Sequence, residues 1–399
     1  MIIGILVLKK KYHRLKNGAF INLEDKEALE GKRLLEELHL DYSSYKEDHF
    51  EVPKYASMFL DEFLEDSEII LAKKEESFKQ LISDISKKTP KRYNQPKGIK
   101  ADLRKYQVTG YRWLKTLSEN GLGGILADDM GLGKTLQMIS VLQAAKEEGK
   151  EGTSLIVTPA SLVYNWQEEF ARFAPDMKAL VVSGTQSERA ELLKDYQNYD
   201  VLITSYDLLK RDIDKYEEAK FLYQVIDEAQ YIKNHTTAAA KAVKCIQSQT
   251  KYALTGTPIE NRLSELWSIF DYLMPGFLYG YETFRKELEL PVAKNKDKEA
   301  SERLKKMVSP FILRRLKQDV LKDLPEKLEE IQFARFDTKQ QQIYDGQVVH
   351  MKEMLAKQSG EDFEKNKLQV LAELTRLRQI CCDPSLLFED YHGESAKRQ

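Results

Sequence analysis

Cysteine is scarce in this chain of 399 residues, with Cys245, Cys381 and Cys382 as the whole complement. None forms a CxxC pair, which excludes a disulfide framework and argues against structural zinc. Adjacent Cys381 and Cys382 read as reduced thiols near a helix end. Long apolar runs are missing as well. The opening stretch "IIGILVL" falls short of the ~20 residues that a membrane span needs, no basic leader precedes it, and it reads as a strand. The lack of a secretion signal together with few cysteines points to the cytoplasm. Charge of one sign is lacking too: Lys and Arg number 62 against 64 Asp and Glu, a net charge of −2. Any nucleic-acid site must therefore be a local patch, not a property of the whole chain. What is present, 42 % hydrophobic and 32 % charged residues, suits a soluble globular chain long enough for two or three domains.

Residues 1–95 are rich in Lys, Glu and Leu. "KEALEGKRLLEELHL" places Leu29, Leu34, Leu35 and Leu38 at roughly helical spacing, so one face can be buried. "KKTPKRYNQPKGIK", with Pro90, Pro96 and Gly98, reads as a linker. From 96 to 275 the texture changes. The short runs "GGILA", "SLIVT", "ALVVS", "DVLIT", "FLYQVI" and "YALT" recur between helical stretches. Several are apolar on consecutive positions, which suits parallel strands buried on both faces. The expectation is an α/β domain, a parallel sheet flanked by helices. Residues 276–327 read as charged helices around a basic stretch, "SPFILRRLKQDVLKDLP". Residues 328–399 offer one strand, in "LEEIQFARF", and two long helical patterns.

Within the α/β part, "GILADDMGLGKTLQMIS" runs from strand through glycine loop to an amphipathic helix with Leu136, Ile139 and Leu142 on one face. That is the context a phosphate loop requires. Gly131 and Gly133 let successive N–H groups turn inward as an anion nest, and the helix beginning near Lys134 adds its positive dipole end. Lys134 can reach the β and γ phosphates, and the Thr135 hydroxyl can ligate Mg²⁺. The pattern G-x-x-x-x-G-K-[ST] would put glycine where Asp128 stands, yet the glycines nearest the phosphates survive. Downstream, "FLYQVIDEAQ" ends a strand in Asp227 and Glu228, at the edge where α/β ligands bind. Asp227 is suited to hold Mg²⁺ through water, and Glu228 to orient and deprotonate an attacking water.

Together "DDMGLGKT", "LIVTPASLVYNW", "LITSYDLL", "DEAQ" and "LTGTPIENRLSELWSIFDYLMPG" resemble, in order and spacing, the Snf-type (Swi/Snf) ATPases of helicase superfamily two. The resemblance implies a RecA-like first lobe over 96–275, a mostly helical accessory region before it as in bacterial members, and a helical protrusion over 276–327. It implies an ATP-driven motor on double-stranded DNA, cytoplasmic and nucleoid-associated, with ATP and Mg²⁺ as cofactors. "LRKYQVTGYRWL" is similar to the family's adenine-reading segment, with Gln107 as the base contact. Carried onto this chain, Met130, Gly131, Leu132, Gly133, Lys134 and Thr135 would cradle the nucleotide. Lys134, Asp227 and Glu228 would carry catalysis, with Thr135 and Asp227 on the metal. Thr158, Pro159, Ser205, Thr255, Gly256 and Thr257 would lie along the DNA or couple it to the nucleotide, where hydroxyl and N–H donors grip phosphates without reading sequence. Ser161 could cap the helix after "TPASL", and Trp166 and Trp267 read as packing residues.

Two departures from the family pattern stand out. The acidic box ends in Gln230 where His is frequent, which alters a contact between motifs and leaves both acids. The family's second lobe should follow the protrusion, and only its first strand and helices are recognisable over 328–399. Arg314 and Arg315 fall outside the second-lobe motif that would supply an arginine to the nucleotide, and they read as a solvated or bracing basic face. The expectation is the front part of a motor, begun directly in a strand, that binds ATP weakly, hydrolyses it poorly and does not translocate alone. Two other readings stay open: an RNA helicase of the same superfamily, and a nucleotide-binding or interaction module without turnover.

Overall fold

The computed structural model describes residues 12–14, 20–22, 45–46, 49–50, 52–66, 74–86, 93–256, 262–320, 333–356 and 367–397. The opening "IIGILVL" and the leucine pattern Leu29–Leu38 lie outside those residues. The chain falls into two units, Met1–Lys322 and Asp323–Gln399. No helix among the described residues is long and apolar enough to cross a membrane.

In the N-terminal part, two helices, Ser57–Asp66 and Glu76–Ser86, are joined by short antiparallel pairs that leucine spacing did not foreshadow. These pairs are β1 (Tyr12–Arg14) with β2 (Phe20–Asn22), and β3 (Tyr45–Lys46) with β4 (His49–Phe50). Tyr55 ties this part to the rest of the unit. Its ring meets Phe277 edge-on at 5.4 Å, and its hydroxyl donates to the Pro275 carbonyl.

Every apolar run of residues 96–275 becomes a strand. They are β5 (Gly124–Leu126), β6 (Ser154–Thr158), β7 (Ala179–Val181), β8 (Val201–Ser205), β9 (Lys220–Ile226) and β10 (Gln247–Leu254). With β11 (Ile312–Leu313) they form a seven-stranded sheet in the order β11-β5-β10-β9-β6-β8-β7, in which every pairing is parallel. Consecutive apolar residues are needed because the sheet separates two cores. Ile125, Leu155, Val157, Leu202 and Ala253 feed one; Leu126, Ile156, Val201, Ile203, Tyr252 and Leu254 feed the other. Neighbours along a strand point to opposite faces, so both must be apolar when both faces are covered.

Two local expectations need correcting. The phosphate-loop helix, Lys134–Glu147, is not amphipathic: every residue from Leu136 to Ala145 is buried, including Gln137, Ser140 and Gln143. It packs against the helices Lys105–Glu119 and Val163–Phe173, so no face is left for water. The second concerns "SPFILRRL", which read as part of a helical segment. Its Ile312 and Leu313 instead add an edge strand, in register with Ile125 and Leu126. The flanking arginines mask an apolar pair too short to signal a strand by periodicity.

In the second unit the helices Thr338–Ala356 and Lys367–Cys382 pack together. Buried Gln340 stitches them: its amide donates to the Ile380 carbonyl at 2.8 Å and accepts the Ala396 N–H at 3.0 Å. Cys381 and Cys382 end the second helix as free thiols, and burial raises the Cys381 pKa. Of "LEEIQFARF", residues 333–336 form no strand and the others lie outside the described residues.

Candidate nucleotide site

Because all seven strands are parallel, their carboxyl ends share one edge, and the segments singled out by sequence collect there. β5 runs into the phosphate loop and β9 into Asp227 and Glu228, and β10, ending at Leu254 just before Thr255, lies between them. In the loop, Gly131 and Gly133 have φ of 84° and 75°, a left-handed backbone that side chains disfavour. The Lys134 ammonium donates to the Asp128 carbonyl at 2.8 Å, and Thr135 follows in the first turn of the helix. Met130 projects outward, 65 % exposed, and a Cβ added to Gly256 would meet its Cγ at 3.7 Å. Leu132 is buried.

Gln107 folds onto this loop. Its Nε2 donates to the Leu132 carbonyl at 3.2 Å while its Oε1 accepts the Arg104 N–H at 2.9 Å. A Cβ on Gly133 would come within 2.5 Å of that Nε2, so the second glycine is also a requirement of close approach. The segment around Gln107 and the glycine loop are thus one packed assembly.

Asp128, which stands in place of glycine, is fully buried. Its carboxylate accepts a paired contact from Arg315, with Nε on Oδ1 at 2.8 Å and Nη2 on Oδ2, and also the Gln137 amide at 3.1 Å. The same guanidinium reaches the Tyr106 carbonyl and Gln137 Oε1. A methyl group at Gly110 would collide with Gln137 Oε1 and Arg315 Nη2, so a glycine is needed on that helix. Arg315 is therefore a brace that links β11, the phosphate loop and the helix of Gln107. Arg314 is exposed. A buried carboxylate demands a partner, so Asp128 itself signalled that an arginine would be found, without saying which.

The acidic pair is equally well held. The Trp166 indole N–H donates to Asp227 Oδ2 at 2.9 Å, the Glu228 N–H donates to Oδ1 at 2.9 Å, and the Tyr206 hydroxyl donates to the Asp227 carbonyl at 2.7 Å. Trp166 is thus a packing residue with a second task that helical spacing could not reveal, although a buried indole N–H always needs an acceptor. Trp267 packs against His235 and Tyr281 and donates to the Tyr279 carbonyl. Glu228 adopts φ 49°, rare for a side chain of its size, and such strain concentrates at functional sites. Its carboxylate accepts the Gln230 amide at 2.8 Å, and Gln230 Oε1 accepts the Thr255 hydroxyl at 3.2 Å. The residue that departs from the family's histidine therefore links Glu228 to the segment after β10.

Burial raises the Asp227 carboxyl above its ordinary range, while the Trp166 indole, the Glu228 amide and the Lys134 charge draw it partly back. A carboxyl whose folded pKa lies above its unfolded value holds its proton more tightly when folded, so its contribution to stability falls as pH rises through that interval. Urea unfolding should show the natural chain losing stability relative to Asp227→Asn as the pH rises above the ordinary aspartate range of about 4. A difference independent of pH would contradict the shift.

The remaining positions lie beneath the surface. Thr158 and Thr255 are fully buried, Pro159 is buried, and Ser205 uses its hydroxyl to accept the Leu208 N–H at 3.3 Å as a helix cap. Thr158 Oγ1 has no hydrogen-bond partner among the described residues. Gly256 is half-buried, and Thr257 lies outside the described residues. Ser161 does not cap the following helix, whose N-cap is Leu162; a single 3₁₀ turn, Ala160–Leu162, intervenes. Ala160 and Ser161 are the exposed residues of this turn.

Comparison with known proteins identifies the family. Residues 106–386 match the family model described as the SNF2-related domain, and residues 1–96 match bacterial SNF2 helicase associated. An uncharacterized ATP-dependent helicase of Mycoplasma genitalium is 42 % identical over 281 residues, 70 % of this chain and 26 % of its own length. The TATA-binding protein-associated factor MOT1 of Saccharomyces cerevisiae is 37 % identical over 350 residues, 82 % of this chain and 19 % of its own. The Sulfolobus solfataricus SWI2/SNF2 ATPase core in complex with dsDNA superposes with a TM-score of 0.56 at 39 % identity, covering 76 % of this chain and 63 % of that one. The chain spans about a third or less of the length of the curated relatives it matches.

Proposed function

This chain belongs to the SNF2-related family of helicase-like ATPases, and from that premise we propose that it binds and hydrolyses ATP, weakly by itself, as one part of a motor that moves along double-stranded DNA. The observation that carries the reading is that the glycine loop with Lys134 after β5 and the acids Asp227 and Glu228 after β9 share the carboxyl edge of one parallel sheet, on either side of β10. The amides around Gly131 to Thr135 receive the phosphates, Lys134 leaves the Asp128 carbonyl for the β and γ phosphates, and Gln107 contributes to the adenine pocket. Mg²⁺ suits the donors present, since the Thr135 hydroxyl and the Asp227 carboxylate are hard oxygen ligands and this ion keeps several waters. When bound, it would offset the charge of the phosphates. Glu228 takes a proton from the attacking water as its oxygen bonds to the γ phosphorus. The bond to the β–γ bridging oxygen breaks, leaving ADP and phosphate.

Trp166 orients Asp227 for this task. Trp166→Phe keeps an aromatic core residue but removes the N–H, and it should weaken apparent Mg²⁺ affinity in the ATPase assay by about 10- to 100-fold. Unchanged magnesium dependence would show that the indole only packs.

DNA is proposed to cross the turns after β6 and β8. Thr158, Pro159 and Ser205 shape these turns from below, while backbone N–H groups and exposed neighbours such as Ser161 meet the phosphates. Thr255 and Gly256 follow β10, with Gly256 close to Met130. ATP hydrolysis measured with duplex DNA, RNA and neither tests the substrate: duplex stimulation is expected, and a preference for RNA would overturn it. Lys134→Ala should abolish nucleotide binding; if binding persists, the phosphate loop has been misread.

A further inference from the structure

We propose that Lys317 is a second phosphate-contacting lysine of the nucleotide site, one that sets affinity and leaves the hydrolytic step alone. The inference rests on the nucleotide-binding reading above and extends it to a residue outside the phosphate loop and its acidic partner. Its basis is the course of the chain beyond β11. The Ala127 N–H donates to the Leu313 carbonyl at 2.7 Å, and the Asp129 N–H to the Arg315 carbonyl at 3.0 Å. The Lys317 N–H then donates to Asp129 Oδ2 at 3.0 Å. Residues 313, 315 and 317 therefore run beside 127–129, and the chain delivers Lys317 to the mouth of the loop.

There the side chain lies over Gly131. The position that a Cβ would occupy on this glycine is 3.3 Å from Lys317 Nζ and 3.4 Å from its Cε. The lysine is exposed, and its ammonium has no hydrogen bond or ion pair among the described residues. Arg315 pairs with Asp128, and Lys134 is tied to the Asp128 carbonyl, while Asp129 accepts the backbone N–H of Lys317. An ammonium with no hydrogen bond or ion pair among the described residues, lying over an anion nest, is suited to a polyanion, and the phosphates of a nucleoside di- or triphosphate are the anions this loop would hold. Its reach from outside the loop adds attraction to bound phosphates. Lys317 has no part in activating water, which falls to Glu228.

The test uses the whole 399-residue chain with MgATP and MgADP as ligands. Calorimetric affinities and steady-state rates are compared for the natural chain, Lys317→Ala, Lys317→Glu and Lys317→Arg. Lys317→Ala should weaken ATP by on the order of 5- to 10-fold, Lys317→Glu by more, and Lys317→Arg should bind within about twofold of the natural chain. KM should rise with kcat at saturation unchanged, the unfolding midpoint without nucleotide should stay put, and affinity should depend less steeply on salt in Lys317→Ala. Affinities of the alanine and glutamate variants within about twofold of the natural chain would overturn the proposal. So would a loss that Lys317→Arg fails to restore. Lys134→Ala, run alongside, separates the two readings. If it still binds ATP, the nucleotide site itself is wrong; if it does not and the Lys317 variants bind normally, only this inference fails.

Discussion

Replacing Glu228 with glutamine should lower DNA-stimulated ATP turnover by about 10²- to 10⁴-fold, the usual worth of a positioned base, while ATP affinity stays near that of the natural chain. The separation follows from where the residue sits. Glu228 has no hydrogen bond or ion pair to the phosphate loop among the described residues; its carboxylate accepts from Gln230, and its strained backbone lies just past the end of β9. Glutamine keeps the size and one acceptor of the side chain, so the link through Gln230 to Thr255 can persist. Only the capacity to accept a proton is lost. Single-turnover hydrolysis beside equilibrium ATP binding distinguishes the outcomes. Equal turnover in the two proteins would leave the chain a nucleotide-binding module whose acid pair is structural.

Arg315→Ala should destabilise the first unit by about 3–5 kcal/mol, the cost of leaving a buried carboxylate without its cation. The carboxylate in question is that of Asp128, wholly removed from water and otherwise held only by the Gln137 amide. Restoring the loop's consensus with Asp128→Gly should also destabilise, since Arg315 would lose its paired contact beside Tyr106 and Gln137. Chemical unfolding of both variants, with a conservative pair such as Asp128→Asn with Arg315→Met, checks the account. If Asp128→Gly proved as stable as the natural chain and bound ATP more tightly, the aspartate would be a tolerated defect and the brace incidental. The expected result is the reverse: the aspartate stands where it does because the strand from the basic segment is anchored through it.

The resemblance to Snf-type ATPases was legible because the relevant motifs are local. A phosphate loop is a strand, two glycines and a helix start within a few residues, and the acids after β9 are adjacent in the chain. Strand identities were legible for a related reason, since a sheet covered on both faces requires consecutive apolar residues and these stand out in a charged sequence. The edge strand Ile312–Leu313 was not, because two residues between a 3₁₀ turn and two arginines carry no period. Burial all round the helix Lys134–Glu147 was hidden likewise, for Gln137, Ser140 and Gln143 are polar until their neighbours are known. Local sequence said that Thr158 and Ser205 were suitable donors; tertiary packing put the one beneath the surface and gave the other to a helix cap.

The sequence by itself determined the family and the parallel strands, and it singled out the amides, lysine and carboxylates proposed to hold a magnesium nucleotide. Only the tertiary structure decided what holds them. Arg315 on Asp128, Trp166 on Asp227, Gln230 between Glu228 and Thr255, and Lys317 over Gly131 join residues distant along the chain or on different segments. The reason is physical. Propensity and periodicity act over a few residues, whereas the partner of a buried charge or indole is chosen by which strands become neighbours in the sheet.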